Sequence, residues 1–152
     1  MILNEIIQVI HPLQVVGNTD DLQGLDIQHL LTDSRQLGNA PEATLFFALK
    51  THKNDGAKYI PQLDEQGVRA FVLTQEQYNG LSGSGNQEAG SGNRESVVGN
   101  QESGVGTQKA LIIVEDVLAA LQALAAYKRS LYKGPVIGIT GSNGKTVVKE
   151  WL

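Results

Sequence analysis

"ATLFFALKTHKNDGAKYIPQLDEQGVRAFVL", residues 43–73, decides the fold class. Ala43–Leu49 is a dense apolar run with two Phe, bounded by Pro41 and Lys50. Its length and aromatic content favour a buried strand. Residues 57–67 then read as a helix, with Gly67 as a natural C-terminal stop. Val68–Leu73 is a second strand. Strand, helix and strand at this spacing form a βαβ unit, which implies a parallel pair with a right-handed crossover.

Similar elements flank this unit. Ile2, Ile6 and Ile10, with Leu3 and Ile7 beside them, recur at helical spacing and predict a short amphipathic helix. "LQVV" (13–16) and "IQHLLT" (27–32) are short strand candidates. Farther on, Lys109–Asp116 holds a strand at Leu111–Val114. A helix follows in which Val117, Leu121, Leu124 and Leu131 share a face, widened by Leu118 and Ala125. Asp116 suits its N-cap, and Lys128 and Arg129 suit the negative end of its dipole. Gly134-Pro135 ends it, and Val136–Ile139 reads as a new buried strand. A domain boundary near Lys133 follows, with one small mixed-sheet α/β domain over residues 1–132 and the start of another over 133–152.

The segment between the two halves differs in kind. Ser82–Thr107 contains seven Gly in 26 residues and no aromatic side chain, and "GNQE" occurs in it twice. Such a stretch cannot bury enough apolar area to offset its ordering entropy, so a disordered surface insert is expected. An alternative role for it is a partner-binding loop.

Composition narrows the class further. The chain has 152 residues, is 41% hydrophobic and carries a net charge of −4, which argues against a nucleic-acid binder. It has no Cys, so neither disulfides nor thiolate chemistry enter. The start "MILNEIIQVI" lacks the positive region of a signal peptide. No apolar run approaches the ~20 residues needed to span a bilayer. A soluble cytoplasmic protein with no membrane partner is the default. His11 and His29 have no evident partner and read as structural, and the sequence presents no metal cluster, nucleophile triad or carboxylate pair.

The last residues, "PVIGITGSNGKTVVKEWL", combine a strand, a Gly-rich turn, Lys-Thr and a helix start. Backbone N–H groups of such a turn, backed by a helix N-terminus, bind phosphate oxygens; the Lys reaches the β and γ phosphates and the hydroxyl can ligate Mg²⁺. Gly141, Ser142, Asn143, Gly144, Lys145 and Thr146 would supply the ATP phosphate cradle, with Lys145 catalytic and Thr146 the Mg²⁺ ligand. The common G-x-x-x-x-G-K-[ST] pattern is not met, because its first Gly falls on Ile139; the glycines stand at 138 and 141. A Gly-rich turn with an incidental Lys-Thr is the bland alternative.

"GITGSNGKT" resembles the ATP loop of the Mur ligases, the ATP-dependent amide synthetases of peptidoglycan assembly, whose pattern is T-G-[ST]-x-G-K-T. Thr140, Gly141, Ser142, Gly144, Lys145 and Thr146 match it, whereas Val147 stands where the family often has another Thr. The tail "VKEWL" is most similar to members that add D-alanyl-D-alanine. The order Asp33-Ser34-Arg35, "TLFFALK", "THKNDG" and "LAALQALAAYKR" also resembles the N-terminal domain of this family. The likeness covers nearly all the chain outside the Gly/Ser insert.

The resemblance implies a UDP-sugar pocket lined by Thr32, Ser34, His52, Lys53 and Asn54, with Lys53 paired to the pyrophosphate. Taken singly, Asp33-Ser34 also reads as a turn cap, Arg35 as an ion-paired surface residue, and His52-Lys53 as ordinary loop residues. The implied partners are a UDP-N-acetylmuramoyl peptide and, at a site beyond Leu152, D-alanyl-D-alanine. The implied reaction uses ATP and Mg²⁺, passes through an acyl phosphate, and is carried out by a monomer. Pyridoxal phosphate would enter only if an alanine racemase domain followed. On this reading the chain holds a substrate-binding domain and the first strand and loop of a truncated ATPase domain, and is inactive by itself. Other readings are a ligase adding the third amino acid, an unrelated P-loop nucleotidase or kinase, and a non-catalytic UDP-sugar-binding module.

Overall fold

A computed structural model of the chain describes residues 1–17, 22, 24–52, 54–83, 109–136, 138 and 140. Five strands form one sheet: β1 (Gln14–Gly17), β2 (His29–Leu31), β3 (Thr44–Phe47), β4 (Ala70–Thr74) and β5 (Ala110–Val114), in the order β1-β5-β4-β3-β2. Strands β2 to β5 run parallel, and β1 closes one edge antiparallel to β5. The expected βαβ unit is present, with β3 and β4 paired directly (Phe46 opposite Phe71).

Among the described residues, four α-helices cover the sheet. Helices α1 (Leu3–Ile10) and α4 (Val117–Leu131) pack on one face, against Leu45, Phe47, Val72 and Ile112. On the other face, α2 (Ile60–Glu65) and α3 (Gln75–Gly83) lie over Phe46, Phe71 and Leu73. Successive residues of a strand point to opposite faces, so Phe46 and Phe47 serve different cores. Both faces being covered explains why β3 is buried at every position without alternation; its one polar side chain, Thr44, donates its hydroxyl to Ala40 O at 2.8 Å. The Phe46 and Phe71 rings meet edge-on at 6.4 Å, which adds about 0.5–1.5 kcal/mol beyond burial itself.

Helix ends follow the expected chemistry. The Asp116 carboxylate accepts from the backbone N–H groups of Leu118 (2.7 Å) and Ala119 (3.1 Å). Gly67 follows α2 with φ +98°, a left-handed conformation that suits Gly. The Tyr127 hydroxyl donates to Glu5 at 2.8 Å and ties α4 to α1.

Several expectations change in detail. The apolar stripe of α4 is narrower than its sequence pattern: Val117, Ala120 and Leu124 are buried, whereas Leu118, Ala125 and Leu131 are exposed. A single sheet face accommodates only one ridge of that helix. In α1 the buried ridge is Leu3, Ile6 and Ile10, and Ile2 stands outside at the N-cap. Residues 56–59 form a 3₁₀ turn leading into α2 rather than α-helix, because Pro61 needs to sit in the first turn. Ser82 and Gly83, assigned above to the insert, belong to α3, a helix the apolar pattern did not indicate. The rest of the insert, 84–107, lies outside the described residues. Val136 is exposed and joins none of the five strands; Ile137 and Ile139 lie outside the described residues, and with them the strand expected at 136–139. No helix among the described residues is long and apolar enough to cross a membrane.

Candidate functional site

In parallel α/β sheets, ligands gather at the carboxyl ends of the strands. A cleft of about 360 Å³ opens there, beyond β2 and β3. Its walls come from the segment after β2 (Thr32, Asp33, Ser34, Arg35) and from the loop after β3 (Leu49, Thr51, Asn54, Gly56), with Tyr59 at one side.

Local chemistry shapes both walls. The Asp33 carboxylate accepts from the Arg35 backbone N–H at 3.1 Å and caps the 3₁₀ turn Ser34–Gln36. The Arg35 guanidinium also grips it bidentately, through Nε at 3.0 Å and Nη2 at 2.6 Å. These hydrogen bonds hold the Asp33 carboxyl at about 2 and push the Arg35 pKa up. Asp33 and Arg35 therefore do have the cap and ion-pair roles that their types suggest. Ser34, between them, lines the cleft.

The second wall is a tight loop. Thr51 N–H donates to Asn54 O at 2.8 Å, and Asn54 N–H donates to Thr51 Oγ1 at 3.1 Å. Gly56 returns the chain against β3. A Cβ at this position would lie 2.9 Å from the Cα and carbonyl carbon of Ala48, so only Gly fits. Asp55 caps the 3₁₀ turn Gly56–Tyr59 by accepting from Ala57 N–H at 2.9 Å. The Tyr59 hydroxyl lies 3.5 Å from Asn54 Oδ1, at the edge of hydrogen bonding.

Of the residues proposed from the sequence, Thr32, Ser34 and Asn54 are brought together in the cleft. His52 is exposed on the same loop and does not line the cleft. Lys53 and the whole phosphate loop, Gly141 to Thr146, lie outside the described residues. Sequence reasoning missed Thr51 and Tyr59. Tyr59 stands at the side of the cleft with Lys58 Nζ over its ring at 5.0 Å, and its signal was a single aromatic two residues before Pro61. A cleft with hydroxyls, an amide, a fixed ion pair and one aromatic ring suits a polar ligand carrying a planar group.

The domain is a three-layer α/β fold, with helices on both faces of a mixed five-stranded sheet and a polar cleft at the strand ends. The comparisons with known proteins are more specific. The model of the Mur ligase family, catalytic domain, matches residues 26–129, which include the whole cleft, and the chain belongs to that family. It is 33% identical over 140 residues to the UDP-N-acetylmuramoyl-tripeptide–D-alanyl-D-alanine ligase of Synechocystis sp., covering 92% of this chain and 24% of the relative. It is 27% identical over 151 residues to the UDP-N-acetylmuramoyl-L-alanyl-D-glutamate–L-lysine ligase of Staphylococcus haemolyticus, covering 98% of this chain and 24% of that protein. The crystal structure of MurF from Acinetobacter baumannii superposes with a TM-score of 0.55 at 20% identity, over 87% of this chain and 22% of that one, a likeness of fold. The chain thus spans about a quarter of the length of the relatives it matches.

Proposed function

We propose that this chain is the substrate-binding portion of an ATP-dependent ligase that adds D-alanyl-D-alanine to a UDP-N-acetylmuramoyl tripeptide in peptidoglycan precursor synthesis. One observation carries the reading: Thr32, Ser34 and Asn54, separated by up to 22 positions in sequence, meet in one cleft at the strand ends. Identity to a relative named for D-alanyl-D-alanine addition supports the choice of amine.

In this reading the cleft holds the uridine diphosphate end. Thr32, Ser34 and Thr51 hydroxyls and the Asn54 amide take the base edge, ribose and phosphate oxygens, and the Tyr59 ring packs beside the base. Lys53 supplies charge to the pyrophosphate. The substrate's sugar and peptide then extend away from the sheet toward the part of the protein that holds ATP. Residues 1–132 form the UDP-sugar domain and 133–152 begin the ATP-binding one. Gly141–Gly144 would cradle the nucleotide phosphates, Lys145 would neutralise the transferring phosphate, and Thr146 would hold a Mg²⁺ that adds positive charge there. ATP activates the peptide's terminal carboxylate for attack by the incoming amine. The protein acts in the cytoplasm as a monomer, and residues 1–152 alone bind substrate without ligating it.

A second reading, a ligase adding the third residue, is favoured by the similarity to the L-lysine-adding relative over almost the whole chain. Ligation assays on the longer protein separate the two. Product should form from UDP-N-acetylmuramoyl tripeptide with D-alanyl-D-alanine. Product only from the dipeptide precursor with L-lysine or diaminopimelate would overturn the first reading in favour of the second.

A further inference from the structure

Helix α3 buries a polar side chain where such a helix ordinarily buries an apolar one. Gln77 is 4% exposed. Each polar atom of its carboxamide is satisfied. Oε1 accepts from Thr74 N–H at 2.9 Å, while Nε2 donates to Ala48 O at 2.9 Å and to Asp55 Oδ1 at 2.6 Å. The two acceptors of Nε2 stand at opposite ends of one loop. Ala48 is where the chain leaves β3, and Asp55 is where it returns to the 3₁₀ turn before α2. Between them lie Leu49, Thr51 and Asn54, three of the nine residues that line the cleft.

A carboxamide with two N–H donors is suited to this task. One donor fixes the outgoing strand and the other fixes the returning turn, so the loop is closed at its base by a single side chain. Asp55 Oδ1 takes the Gln77 donor together with Ala57 N–H, which couples the closure to the cap of the next turn. Burial strengthens these bonds and makes their loss costly. The neighbouring Lys50–Glu76 pair, at 2.9 Å, ties the same loop to α3, but it is exposed and contributes little.

We propose that Gln77 is a positioning residue of the cleft: its bonds to Ala48 and Asp55 hold the loop in the conformation that presents Thr51 and Asn54 to the ligand. The inference rests on the reading of the cleft as the UDP-sugar site. Gln77 touches no ligand itself and acts through the loop.

The test titrates the full chain, wild type and Gln77→Met, with UDP-N-acetylmuramoyl tripeptide, and follows amide hydrogen exchange in both. Methionine keeps the volume and removes every hydrogen bond of the side chain, leaving the Gln77 backbone N–H on Thr74 Oγ1. The dissociation constant should rise by about tenfold through lost preorganisation. Exchange at Gly56 and Ala57 should quicken by roughly tenfold, while Val72 and Ile112 stay protected. In a Thr51→Ala/Asn54→Ala background, Gln77→Met should weaken binding by less than about twofold more, since the groups it positions are gone. A purely structural role would add the same loss in both backgrounds and would overturn the proposal. Wild-type affinity in Gln77→Met would also overturn it. Absence of binding by the wild type would instead overturn the assignment of the cleft, and the proposal with it. If Gln77→Met does not fold, Gln77→Leu serves, because it also removes both donors without setting a second carboxylate against Asp55. Failure of both to fold would assign Gln77 to the stability of the whole sheet and overturn the positioning role.

Discussion

Gly56→Ala should destabilise the domain and weaken the cleft together. The added methyl would stand 2.9 Å from both Ala48 Cα and its carbonyl carbon, and 3.0 Å from Leu49 N. Carbon atoms pack comfortably at about 3.5–4.0 Å, so the backbones must part by roughly half an ångström or more. Neither side yields freely. Ala48 N–H donates to Val72 O at 2.8 Å, and Gly56 N–H donates to Leu49 O at 2.9 Å. Forcing a methyl into such a site costs about 1–3 kcal/mol. At about 2–4 °C per kcal/mol for a chain of this size, the Tm should fall by roughly 2–12 °C. Circular dichroism melts of wild type, Gly56→Ala and Gly80→Ala provide the measurement. Gly80 lies within α3, and a Cβ there meets nothing within 4 Å, so Ala should stabilise the helix by about 0.5–1 kcal/mol. A Gly56→Ala protein as stable as wild type would refute the close approach of the loop to β3.

Other perturbations test separate parts. Lys145→Ala, in the longer protein, should abolish ATP-dependent ligation while UDP-sugar binding stays near normal; wild-type turnover would remove Lys145 from the chemistry. Asp33 has a folded-state pKa of about 2, below the value of about 3.9 for a free carboxylate, so its pairing with Arg35 stabilises at neutral pH and that contribution is lost as pH falls from about 4 to about 2. In urea titrations the gap between wild type and Asp33→Asn should therefore close over that interval, and a gap that widened would contradict the assignment. Replacing 84–107 with a short Gly-Ser linker should change stability by less than about 1 kcal/mol, because closure entropy varies only with the logarithm of loop length; loss of cooperative unfolding would place the segment in the core.

The elements legible in the sequence are those whose burial is two-sided or whose caps are local. Thr44–Phe47 and Ala70–Thr74 read as strands because both faces are covered and almost every side chain is apolar. Asp116 and Gly67 marked helix ends by chemistry confined to a few residues. Helix α3 was not legible, because "QEQYNGLSG" buries a Gln and otherwise only half-buries Tyr78 and Leu81. Its place is set by hydrogen bonds to Ala48 and Asp55, partners 29 and 22 residues away, which no periodicity reveals. The same limit applied to the cleft. Thr32, Ser34 and Asn54 were found through motif order, whereas Thr51 and Tyr59 join them only because Gly56 folds the loop back onto β3.

Whether the cleft after β2 and β3 holds the UDP-sugar is measured most directly by amide chemical shifts. The chain would be titrated with UDP-N-acetylmuramoyl tripeptide and, separately, with Mg·ATP. Shifts at Thr32, Ser34, Thr51 and Asn54 with the sugar nucleotide, and little specific response at those amides to ATP, are the expected result. Tighter binding of ATP than of the sugar nucleotide, or no shifts at Ser34 and Asn54, would mean that the substrate lies elsewhere.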